Sequence, residues 1–141
     1  MPEPVGVTRG LSRRLLLLVA VFLLAGLSHF VVSEAFERIV PSWVPQPRLM
    51  VYISGIAEVA GAVGLLIPSL RVHAGYGLIA LLLAVFPANI NMLQLARESN
   101  ASAAYQLILW MRLPLQPLLI WLVWQAAVIP NQFIKRRLNP D

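Results

Sequence analysis

Long apolar runs separated by short polar or proline-rich stretches make up most of this chain. A membrane-spanning helix needs about 20 predominantly apolar residues, and four stretches approach that length. The first follows Arg13 and Arg14, covers residues 15–32 and ends in GLSHFVV. The second covers 49–67 and is closed by Pro68; the third covers 72–95 and contains Pro87. The fourth is less clean, at about 107–129 with a start as early as Ala104 also open, its strongest run from Leu113 to Ile129 and Pro130 as the stop. The pattern predicts an all-α fold, a single domain over 1–141 built as a four-helix transmembrane bundle. The basic start and leucine-rich body of the first run also resemble a signal peptide, but no A-x-A cleavage pattern follows it.

The connections differ in character. The stretch EAFERIVPSWVPQPR, Glu34 to Arg48, holds three prolines and several apolar residues. It is too proline-rich for a helix and too apolar to float free, so it reads as a lid seated in the membrane interface, with Trp43 as the aromatic anchor. The turn around Pro68 to Val72 is short enough to make the second and third spans an antiparallel pair. Small residues recur at helical spacing as Ser54, Ala57, Gly61 and Gly64, and again as Gly77, Ala80, Ala84 and Ala88. Such stripes predict the faces along which helix backbones approach closely.

Composition strengthens the membrane reading. The 141 residues are 59% hydrophobic and 12% charged, with a mean hydropathy of +0.76. An ordinary soluble domain is about 45–50% apolar and about 25% charged, and a chain this short has too little interior to hide the excess. The absence of cysteine excludes disulfides, thiolate nucleophiles and iron–sulfur clusters. A net charge of +5 raises nucleic acid as a partner, but the basic residues sit at the ends of apolar runs, where membrane flanks belong; no nucleic acid is expected.

Those flanks set an orientation. Arg9, Arg13, Arg14, Arg71, Lys135, Arg136 and Arg137 fall on one side of a four-span chain, and Arg38, Arg48, Arg97 and Arg112 on the other. The richer side is cytoplasmic by the positive-inside rule, which places both termini in the cytoplasm and the protein in the bacterial inner membrane.

Polar residues inside the runs are the candidates for chemistry. Glu58 falls near the middle of the second span, where a carboxylate must be paired, hydrated or protonated, and where it marks a functional site or a hydrogen-bonded helix staple. His29 is its natural partner, or else an interfacial anchor. Asn89, Asn91 and Gln116 are expected in the same outer half of the bundle, with Glu58 just beneath them. Pro87 cannot donate to the Leu83 carbonyl and is expected to kink its helix. There is no glycine-rich phosphate loop, no serine elbow and no metal-ligand spacing. His29 and His73 fall on opposite sides, so they cannot jointly hold a haem. An apolar slot for a pigment or quinone stays open.

The strings GLSHF, RIVPSWVPQP, SGIAEVAGAVGLLIPSLR, AGYGLIALLLAVFPANINM and RLPLQPLLIWLVW occur in that order between residues 15 and 124. Together they resemble the DoxX family of small bacterial membrane proteins. The resemblance implies a four-helix membrane bundle and an association with membrane redox systems, with a quinone as the candidate cofactor. It also implies a redox partner protein or a homo-oligomer as candidate partners beside the lipid bilayer. The positions inside the matching motifs are His29, Glu58, Pro87, Asn89 and Gln116. The expected role is a non-enzymatic accessory, assembly or small-solute component, with a quinone-interacting accessory subunit as the alternative.

Overall fold

The computed structural model describes residues 11–129. Ser12 opens the first helix, α1 (Arg13–Val31), by accepting from the Leu15 amide at 3.2 Å, which satisfies one of the donors that a helix start leaves free. A short helix, α2 (Ser33–Glu37), follows at once, and the proline-rich loop after it leads to α3 (Pro47–Leu66). Proline at the first helical position costs nothing, because no amide is needed there. The chain then reverses into α4 (Arg71–Glu98), and Arg71 Nε donates back to the Leu65 carbonyl at 2.8 Å, covering an acceptor left free at the end of α3. Asn100 turns the chain again in the left-handed region, φ 51°. Ser102 caps the Tyr105 amide to start α5 (Ala103–Val123), which widens into a π-helical turn at Trp124–Val128.

Helix α3 packs between α1 and α4, α5 packs on α4, and the π-helical turn reaches both α4 and α1. The described bundle therefore has two ends. The lid end gathers α2, the proline-rich loop and the α4–α5 turn; the opposite end gathers the start of α1, the α3–α4 turn and the π-helical turn. α1, α3, α4, and α5 with its π-helical extension are each long and apolar enough to cross a membrane. Their outward faces carry large apolar side chains, including Leu17, Leu24, Ile56, Leu83 and Met111, each at least 60% exposed. An apolar surface on this scale suits lipid and not water.

The interior is densest away from the lid. Leu15, Phe22, Ala62, Leu65, Leu78 and Val123 form one buried cluster there, joined by Ala127 and Val128. Val123, Ala127 and Val128 are all fully buried; the wider π turn keeps residues five apart on one side. Gly75 faces Ala127, and a Cβ on Gly75 would lie 2.8 Å from that methyl. A smaller cluster of Leu93, Ala96 and Leu109 joins α4 to α5 near the lid end.

The helices correct several sequence expectations. The lid is not wholly irregular, because Ser33–Glu37 precede its prolines and are free to close a helical turn. The last helix starts at Ala103, beside the earlier of its two expected starts and ahead of 107, since Ser102 supplies the cap and the helix runs on through Pro114 and Pro117. Arg112 therefore lies well inside α5 and is no flanking charge; Arg38, Arg48 and Arg97 are left at the lid end. The stripe led by Gly77 is not a packing face, for nothing comes within 4 Å of a Cβ built on Gly77, and Ala80 and Ala84 are exposed. α4 instead turns Ala74, Gly75, Leu78 and Leu82 inward. Arg9, Lys135, Arg136 and Arg137 lie outside the described residues.

Candidate functional site

Two glycines bring α1 and α3 together at the centre of the bundle. A Cβ on Gly26 would meet the Gly55 carbonyl oxygen at 2.9 Å, and one on Gly55 would meet the Gly26 carbonyl oxygen at 2.9 Å and the His29 Cβ at 2.8 Å. Only bare backbones fit at this crossing, and it sets His29 beside Glu58, with Nδ1 to Oε2 at 3.3 Å. Glu58 lies eleven positions after the first residue of α3, about 16 Å down the helix at 1.5 Å per residue. His29 is only two residues from the end of α1. Their contact means that α1 stops well short of the height at which α3 begins, and α2 with its following loop fills the difference. His29 and Glu58 are thus level, in place of the expected stack with the carboxylate beneath.

The pair is tightly enclosed, Glu58 being 7% exposed and His29 9%. His29 Nδ1 lies 2.9 Å from the Ala25 carbonyl oxygen, and a carbonyl can only accept, so Nδ1 carries the hydrogen and donates. Nε2 is then an acceptor. The imidazole stacks on Phe36 of α2, ring centres 4.1 Å apart at 15°, which fixes its plane. Glu58 Oε2 has no hydrogen-bond partner among the described residues. A buried oxygen without a partner costs about 1–3 kcal/mol, and the Nδ1 hydrogen that His29 directs at Ala25 does not relieve it.

Across the bundle, Asn89 Nδ2 donates to Gln116 Oε1, and Gln116 Nε2 donates to the Leu82 carbonyl. Leu82 O lies a residue before the Leu83 carbonyl that Pro87 leaves without its usual donor. Helix α4 itself continues unbroken through Pro87. Asn91 does something different from Asn89. Its amide donates to the Ile39 carbonyl at 2.9 Å and so ties α4 to the lid.

These groups surround a cavity of about 560 Å³, within the range of about 300–1,000 Å³ usual for small-molecule sites. Its walls are mostly apolar, with Phe22, Val51, Leu82 and Leu119 among them, and its polar groups are Ser28, His29, Ser54, Glu58, Asn89, Arg112 and Gln116. Ile39, Val40, Pro41, Trp43 and Val44 of the lid contribute to its lining. Val21 of α1 and Leu115 of α5 also line it while remaining 45% and 52% exposed, so the cavity opens sideways between those two helices.

Of the residues singled out by sequence, His29, Glu58, Asn89, Gln116, Pro87 and Trp43 line this one space. Asn91 does not, and serves the lid instead. Trp43 is 72% exposed, at the rim. Sequence reasoning missed Arg112, Ser28 and Ser54. Arg112 could have been found from Ser102, whose capping position lengthens the last helix towards the lid. Ser54 was read only as a small residue, and Ser28 only as part of the GLSHF string. Among the described residues no group of three or more His, Cys, Asp or Glu side chains is placed to hold a metal ion.

A family model described as a domain of unknown function (DUF8561) matches residues 18–127, which takes in the lid, most of α1 and the whole of α3, α4 and α5. No curated protein and no solved structure matches the chain.

Proposed function

We propose a function from the cavity, because the chain belongs to the DUF8561 family and that family's description, a domain of unknown function, assigns none. The protein is a multi-pass membrane component that holds a small, membrane-soluble molecule at the centre of its bundle. It acts as a non-enzymatic accessory, assembly or solute-handling unit in the bacterial inner membrane, with both termini cytoplasmic. The observation that carries this reading is the nine-tenths buried Glu58 carboxyl group, whose Oε2 makes no hydrogen bond among the described residues, on the wall of a mostly apolar cavity. An intramembrane ionisable group is costly, and its usual justification is a ligand or ion that it serves. The test is organic extraction of the purified protein followed by mass spectrometry. A small molecule at about one per chain supports the reading, and extracts holding only bulk lipid sink it.

A second reading has its own support. Arg112 lines the cavity and forms no ion pair with a carboxylate among the described residues. A guanidinium so placed is a donor suited to a quinone carbonyl, in keeping with the DoxX resemblance and its redox association. In this reading the chain is a quinone-holding accessory subunit, and any electron transfer belongs to a partner protein, since this chain has no cysteine. The same extraction decides it, by the presence of stoichiometric quinone.

A further inference from the structure

We infer that the cavity takes a neutral, lipid-soluble molecule with a hydroxyl head, which enters sideways between α1 and α5 and donates its hydrogen bond to the wall carrying His29 and Glu58. The inference rests on the ligand-binding reading above and narrows its ligand to one chemical class.

The class follows from a census of hydrogen-bonding capacity. The Ser28 hydroxyl donates to the Ala25 carbonyl and the Ser54 hydroxyl to the Val51 carbonyl, so each serine has only lone pairs to offer. His29 spends its Nδ1 hydrogen on Ala25 and offers only Nε2. The Glu58 carboxyl group accepts in either protonation state. The α1 and α3 wall is therefore a set of acceptors, and a head group that only accepts would leave it unsatisfied. The spare donors lie across the cavity, on Arg112 and on the second hydrogen of the Asn89 amide.

Charge narrows the class further. One carboxyl group and one guanidinium line the same space. A cavity lined by one group of each kind is not built around charges of one sign, so the site calls for neither an added cation nor an added anion. A hydroxyl group donates to one wall and accepts from the other, which no ketone, quaternary amine or carboxylate can do.

The route follows from the walls. The lid closes over the cavity with apolar side chains and is tied down by Asn91 on Ile39 and by Phe36 on His29. The half-exposed Val21 and Leu115 instead open it towards the face that the long helices present to lipid. Molecules dissolved in the bilayer reach it without crossing the lid.

The test uses the full chain in lipid nanodiscs and a tetradecanol carrying a diazirine near mid-chain, with the amine and carboxylic acid of the same chain as parallel probes. After photolysis, crosslinked peptides are mapped by mass spectrometry. The alcohol is expected to label α1, α3 or α4 at cavity residues such as Phe22, Val51 and Leu82. The amine and acid should label only outward residues such as Leu24 and Ile56. Glu58→Leu removes the acceptor and should reduce cavity labelling by the alcohol at least fivefold. Leu115→Trp, at the mouth and outside the polar groups, should reduce it similarly and stands in if Glu58→Leu fails to fold. Cavity labelling by the amine, lost in Glu58→Gln, would overturn the neutral class in favour of a cation. Labelling by the acid, lost in Arg112→Gln, would overturn it in favour of an anion. Either result keeps the ligand-binding reading; a stoichiometric extract with no hydroxyl head also overturns this inference alone. No cavity labelling by any probe in folded protein, with no stoichiometric extract, overturns both.

Discussion

Glu58 and the glycines near it show how single positions divide between stability and function. Because Glu58 Oε2 makes no hydrogen bond, removing the carboxyl group should cost the fold nothing. Glu58→Leu is expected to leave the unfolding free energy in mixed micelles unchanged or raise it by about 1 kcal/mol, since apolar replacements of buried polar groups are often stabilising. A fall of more than about 1 kcal/mol would show a stabilising bond that the geometry does not contain. The glycine crossing behaves oppositely. Gly55→Val places carbon against the Gly26 carbonyl and the His29 Cβ, and overpacking of this kind costs about 1–3 kcal/mol. Gly77→Ala is the control: its Cβ enters open space, and alanine should gain about 0.5–1 kcal/mol in mid-helix. Equal losses at both glycines would mean that the α1–α3 crossing is not where the structure puts it.

Between helices, polar side chains join elements that apolar packing leaves apart around the cavity. Gln116 holds α5 to α4 by serving Asn89 and the Leu82 carbonyl at once. Gln116→Leu strips both partners and is expected to cost about 0.6–1.7 kcal/mol, the range for interhelical bonds in membranes, with faster amide exchange in α4 around Pro87. Asn91 joins α4 to the lid. Asn91→Ala should speed hydrogen exchange at the lid amides of Ile39, Val40 and Val44 while leaving α3 and α5 as they were, because their backbone bonds do not depend on it. Unchanged lid exchange would show that the stack of Phe36 on His29 suffices alone.

At the scale of the whole molecule, the bundle is closed at one end and hollow at the other. α1 and α3 are nearly equal in length, but their crossing sets α1 lower than α3, and the lid occupies the height it leaves. The proposed orientation puts that lid on the outer side of the membrane; it rests on the sequence count, in which Arg9, Lys135, Arg136 and Arg137 join Arg13, Arg14 and Arg71 against Arg38, Arg48 and Arg97. Reporter fusions test this directly. A reporter after Asp141 should report the cytoplasm and one inserted at Asn100 the outside; finding both on one side would remove the four-span topology.

The four long helices were legible in the sequence because apolar runs of bilayer length have few other fates. Their ends moved by only a few residues, the last helix starting at Ala103 because Ser102 caps it. Glu58 and His29 were legible as candidates for the same reason, since charge inside such a run is expensive wherever it points. What composition could not say was which face of each helix turns inward. Small residues make a close crossing possible without choosing its partner, so the Gly77 stripe reads in sequence much like the Gly26 and Gly55 pair. Only the meeting of two backbones distinguishes them. Likewise, Asn89 and Asn91 are two residues apart and chemically identical, yet a rotation of about 200° along a helix sends one to the cavity and the other to the lid. The elements were decided by local transfer energies, which a sequence carries residue by residue. The site was decided by distances between residues far apart in the chain, which tertiary packing alone supplies.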